Sequence, residues 1–137
     1  MGSSYHQLYF HLVWSTYHRH ELINVEMEHD LKRLIQDKII EHKSELLSFG
    51  CTSDHVHLLI RLHPAVCVSR IVGEVKGYSS YVFANQICPD SGFRWQGGFG
   101  ALTVARKDLG KLVRYIENQK DHHNQNNLNP SWELDGS

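Results

Sequence analysis

The sequence predicts an α+β fold, ferredoxin-like in its βαββαβ order, with an additional C-terminal helix. Three observations carry this expectation. Residues 55–62 alternate apolar and polar side chains as a strand does. Two segments on either side of that strand repeat apolar residues at helical spacing. A chain of 137 residues suits one compact core.

The elements follow in order. Residues 5–17 are rich in aromatic and β-branched side chains and read as a first strand, partly buried on both faces. Asn24 is a candidate N-cap, with Glu26 and Glu28 placed to favour the helix dipole. Met27, Leu31, Leu34, Ile35 and Ile39 then recur at helical spacing, predicting a helix to about residue 45. Residues 46–51 form a short apolar strand, and Thr52-Ser53-Asp54 a turn, since all three side chains bond locally to backbone. The strand over 55–62 completes a hairpin, and Pro64 ends it. Ile71, Val72, Val75, Tyr78 and Val82 outline a second helix over 65–85. Arg94-Trp95 and residues 99–104 read as a strand interrupted by Gly97-Gly98, and a last helix spans 108–123. The expected organisation is a single domain over 5–125 and an Asn-rich tail over 126–137, mobile or docked on a partner.

Composition narrows the class. Hydrophobic residues make up 41% and charged residues 21% of the chain, an ordinary soluble mix. No apolar run approaches the roughly 20 residues of a membrane span, and no leader pattern is visible. Cys51, Cys67 and Cys88 are odd in number and lack CxxC spacing, which argues against a disulfide framework and for reduced thiols in the cytoplasm. Net charge is −1, yet residues 66–115 carry seven basic against three acidic side chains. Arg70, Lys76, Arg94, Arg106, Lys107, Lys111 and Arg114 are therefore candidates for contact with phosphates, against a plain reading as dispersed solvated charge.

The chemistry-bearing residues are few. His55 and His57 stand at i and i+2 on one strand, so both imidazoles point to one side. Two neutral imidazoles make half of a metal site, although such a pair on a strand is often incidental. On the last helix Tyr115 and Gln119 are four apart and share a flank with His122. Alone, Tyr115 reads as a boundary tyrosine whose ring packs and whose hydroxyl finds water.

Together these residues resemble a known family. Asp54-His55-Val56-His57-Leu58-Leu59-Ile60 resembles an HUH motif, and Tyr115-Ile116-Glu117-Asn118-Gln119 resembles the downstream tyrosine helix of the small single-tyrosine HUH transposases. His11-Leu12-Val13-Trp14-Ser15-Thr16 is similar to that family's first strand. Lys76-Gly77-Tyr78-Ser79-Ser80 and Trp95-Gln96-Gly97-Gly98-Phe99 are similar to two further segments. The small-residue run Gly-Gly-Phe-Gly-Ala and the thin basic content of 18–22 depart from the pattern.

The resemblance implies a set of expectations. Tyr115 is the nucleophile, forming a 5′-phosphotyrosine link to single-stranded DNA marked by hairpins. His55, His57 and Gln119 hold a divalent ion, Mg2+ or Mn2+, as three neutral ligands, with Asp54 and His122 in support. The protein works as a homodimer, with no membrane partner, and the tyrosine helix serves its own or its partner's histidines. Two other readings compete. One is a domesticated relative that binds hairpin DNA without moving it. The other is a small metal-dependent hydrolase using the histidine pair, which leaves Tyr115 and Gln119 without a role. An RNA recognition module would need aromatic consensus strands that are absent.

Overall fold

A computed structural model describes residues 3–119 and 129–136. Its strands are β1 (Tyr9–Ser15), β2 (Glu45–Cys51), β3 (His55–Arg61) and β4 (Gly100–Thr103). Its helices are α1 (Val25–Glu41), α2 (Val68–Val82) and α3 (Leu109–Glu117). The four strands form an antiparallel sheet in the order β2-β3-β1-β4, the ferredoxin-like arrangement expected from the element order.

The two faces of the sheet carry different chemistry. Leu12 and Trp14 of β1 and Val56, Leu58 and Ile60 of β3 point to one side, where α1 and α2 seal them in the main apolar core. α1 supplies Met27, Leu31, Leu34, Ile35 and Ile39, the five residues its periodicity named. Its cap is also the residue expected: the Asn24 side chain accepts from the Met27 amide. The opposite face carries Leu59 under α3, in a second cluster with Leu112 and Ile116. Gly50 on β2 permits the docking of α3, since a Cβ there would lie 2.1 Å from the Ile116 carbonyl oxygen.

Some boundaries differ from expectation. α2 starts at Val68 rather than 65, because the chain after Pro64 turns before Cys67 caps the helix. Its C-terminal end widens into a π turn over Phe83–Ile87. The broken strand survives only in part. Trp95 makes a lone bridge to Thr16, and continuous pairing begins at Gly100. Between them Gly98 takes φ +91°, which turns the backbone out of the sheet.

The segments 76–80 and 95–99 meet each other in the fold. The Trp95 indole donates to Ser79 Oγ at 2.9 Å. The Lys76 ammonium donates to the carbonyls of Gln96 and Gly98 at 2.7 and 2.8 Å. Trp95 packs edge-on to Trp14 and Phe93. These residues brace α2 against the loop entering β4. None of the described helices is long and apolar enough to cross a membrane.

Candidate active site

Alternation along β3 sends His55 and His57 to the face opposite the main core, and both are buried there. Each ring is held through Nδ1. His55 Nδ1 lies 2.7 Å from Asp54 Oδ1 and 2.8 Å from Thr52 Oγ1, both in the turn that starts the strand. His57 Nδ1 lies 2.8 Å from His11 Nε2, and the two rings stack. With Nδ1 engaged in both rings, both Nε2 atoms face the same space under α3.

Helix α3 brings Tyr115 to that space, its ring 6.2 Å from the His57 ring of the same chain. Gln119, just past the helix, is buried beside it. Between them stands Glu133, from the chain's return after residue 128. Its Oε1 lies 3.1 Å from His57 Nε2 and 3.4 Å from His55 Nε2. Its Oε2 accepts from the Tyr115 hydroxyl and, at 3.3 Å, from Gln119 Nε2. One carboxylate thus touches His55, His57, Tyr115 and Gln119.

The electrostatics follow from these contacts. Burial opposes charge on Glu133, yet hydrogen bonds from His55 and His57 hold its carboxyl far below the usual range. Burial likewise opposes the charged form of His55, but Asp54 and Glu133 together raise its pKa. The His55 hydrogen bond in turn lowers that of Asp54. Burial, then the charge of His57, pushes His11 down to about 3, so it stays neutral. Burial and the Glu133 carboxylate push the Tyr115 hydroxyl well up, which keeps it protonated in this arrangement.

The donor set fits a divalent ion. Bonds of about 2.1 Å place neighbouring ligand atoms about 3.0–3.4 Å apart, the spacing found between Glu133 and the two imidazoles. Donor atoms of His55, His57 and Glu133 lie within 4.8 Å of one another. Gln119 Oε1 is buried with no hydrogen-bond partner among the described residues, an acceptor suited to a cation. Glu133 thus offers a carboxylate beside the three neutral side chains expected, and the group of His55, His57 and Glu133 could hold a metal ion.

Of the sequence candidates, His55, His57, Tyr115, Gln119 and Asp54 come together. His122 lies outside the described residues. Lys111 borders the hollow beside His11 and Trp132. Arg114 is exposed on α3, and Arg106 and Lys107 precede that helix. Arg70 does not join them: it is on α2, in the helix layer behind the sheet, paired with Glu74 at 3.1 Å. Lys76 spends its charge on carbonyls, and the Arg94 guanidinium sits 4.1 Å over the Tyr17 ring. Residues 129–136 pack on their own chain through Glu133 and Asp135, and the rest of the expected tail over 126–137 lies outside the described residues. Sequence reasoning gave no site role to His11, Thr52, Trp132 or Glu133. The strand position of His11, on the face that His57 shares, was the one available signal.

Known proteins share this framework. The family model described as IS200-like transposase matches residues 4–119. The chain is 29% identical over 121 residues to the ISDra2 transposase TnpA of Deinococcus radiodurans, covering 85% of this chain and 86% of that protein. It is 28% identical over 117 residues to the transposase of insertion sequence element IS200 from Salmonella typhimurium, covering 80% and 75%. Among solved structures, a putative transposase from Deinococcus radiodurans superposes with TM-score 0.66 at 30% identity, over 87% of this chain and 96% of that one. A REP-associated tyrosine transposase bound to a REP hairpin shares the fold, with TM-score 0.65 at 18% identity over 89% and 74%.

Proposed function

Because the chain belongs to the IS200-like transposase family, a family of DNA-cleaving enzymes, we propose that it cuts and rejoins single-stranded DNA through a phosphotyrosine at Tyr115. The observation that carries this reading is convergence. The Tyr115 hydroxyl, both Nε2 atoms and the Gln119 amide meet around one small anion, the Glu133 carboxylate.

In the proposed reaction the Tyr115 oxygen attacks the scissile phosphorus and the bond to the 3′-oxygen breaks. The proton lost by Tyr115 is balanced by the one gained at the released 3′-hydroxyl. The bond energy stays in the 5′-phosphotyrosine, so a second 3′-hydroxyl rejoins the strand by the reverse step. His55, His57 and Gln119 would hold Mg2+ or Mn2+, which supplies charge relief to the phosphate. Asp54 and His11 hold the two imidazoles at Nδ1, which would leave both Nε2 atoms for such an ion. Lys111 and Arg114 would meet the strand's phosphates.

The proposed substrate carries hairpins, a reading supported by the structural relative that is bound to a REP hairpin. The proposed assembly is a cytoplasmic homodimer. Within one chain Tyr115 already lies beside His57, which favours action in cis. Tyr115→Phe should abolish the covalent adduct on a denaturing gel with labelled hairpin DNA, while hairpin binding persists. Undiminished cleavage by this variant would reject the nucleophile. Hairpin binding without any adduct from the wild-type chain would favour a domesticated binding protein instead.

A further inference from the structure

We infer that residues 129–136 form an internal pseudosubstrate strap, in which Glu133 takes the seat of the scissile phosphate and Trp132 that of a neighbouring nucleobase. This rests on the phosphotyrosine reading of the same site.

The first argument is occupancy. An attacking tyrosine needs its phosphorus about 3–3.5 Å from the hydroxyl oxygen. That position is held by the Glu133 carboxylate, an anion that presents two oxygens as a phosphodiester does. The strap engages the hydroxyl twice, since Tyr115 donates to Glu133 and accepts from the Asn129 amide at 3.0 Å.

The second argument is access. Tyr115 is 7% exposed, His55 2%, His57 0% and Gln119 1%. With the strap in place these four side chains are almost wholly shielded from solvent.

The third is the fit of Trp132. Its ring meets Tyr115 edge-on at 4.8 Å and His11 at 6.5 Å, beside a hollow floored by Leu102, Val104 and Leu112 with Lys111 at its rim. An apolar floor, an aromatic wall and a cation suit a base next to its phosphate.

The strap is anchored beyond the site. Arg19 pairs with the buried Asp135 carboxylate at 2.6 Å. The Leu134 carbonyl lies over Gly100 on β4, where a Cβ would come within 1.7 Å of its oxygen. Trp132 is its main apolar contact, packed on the cluster of Leu59, Leu112 and Ile116, while Pro130, Ser131 and Leu134 are exposed. A short strap with one apolar anchor lifts at modest cost, and entering DNA competes with it. Apparent affinity for the strand is then reduced by the closed fraction.

The test uses the full chain as wild type, Glu133→Gln and Asp135→Asn, each shown folded by its melting curve. Asp135→Asn loosens the anchor and leaves all the site's side chains in place. Tyr115 nitration by tetranitromethane is mapped by mass spectrometry, with the exposed Tyr5 and Tyr81 as internal standards. Nitration of Tyr115 should rise about tenfold or more in both variants. Adduct formation on hairpin DNA with Mn2+ should rise several-fold in Asp135→Asn. Unchanged nitration in both variants overturns the strap. A fall in adduct when the anchor is loosened overturns the pseudosubstrate role, because Glu133 would then be serving the chemistry. Released nitration with no adduct from any chain, wild type included, supports the strap and rejects the phosphotyrosine reading.

Discussion

The two faces of β3 meet opposite surroundings. Val56, Leu58 and Ile60 enter a continuous apolar core under two helices. His55 and His57, one residue away on either side of Val56, enter a polar chamber closed by one helix and a returning tail. The first face holds the sheet together. The second spends burial on groups that would be cheaper in water, and offsets that cost with hydrogen bonds. A site built on a strand whose other face is a packed core inherits that core's rigidity.

This contrast can be broken at several points. Leu58→Ala should cost about 2–5 kcal/mol by chemical denaturation, whereas His57→Ala should cost less but weaken Mn2+ binding by at least about tenfold in calorimetry. Equal destabilisation with unaltered Mn2+ binding would erase the distinction. Gly50→Ala should cost about 1–3 kcal/mol, since its methyl meets the Ile116 carbonyl. It should also lower adduct yield by displacing Tyr115; full yield would show that the seat does not matter.

A smaller effect is a pH dependence of the metal-free chain. The His11 pKa falls from 6.5 unfolded to about 3 folded, so the unfolded chain takes up the proton first. His11's share of stability is complete above pH 6.5 and is lost below it, by up to about 1.4 kcal/mol per pH unit. His55 opposes this trend, because its raised pKa adds stability at low pH that is lost as pH rises through its folded value. His11→Phe should therefore flatten the acid decline; parallel curves for the two chains between pH 7 and 4 would refute the burial argument. Smallest of all, Arg70→Ala should change stability by less than about 0.5 kcal/mol and leave single-strand affinity within about twofold. A larger loss of affinity would place DNA on the helix layer.

What the sequence disclosed follows from the range of its signals. The β3 alternation, the α1 stripe and the Asn24 cap are local patterns, and each is seen in the fold. The histidine pair, Tyr115, Gln119 and Asp54 were legible as motifs with fixed spacing. His11 was harder to read because β1 is buried on both faces, so its alternation carries no contrast. Glu133 left no local trace, since its place depends on a chain return 14 residues beyond Gln119. The interrupted strand over 94–95 and 99–104 is seen as the single Trp95 bridge and the shorter β4, with Gly98 at the expected break.

The bare backbone at Gly50 sets a datum for the whole site. Ile116 rests on it main chain to main chain, so the height of Tyr115 above the histidines is independent of what decorates the outer surface of α3. Lys111, Arg114 and Glu117 are exposed there. Under the proposed function they would form a panel that can be rewritten to alter strand preference while the Tyr115 hydroxyl stays on its mark.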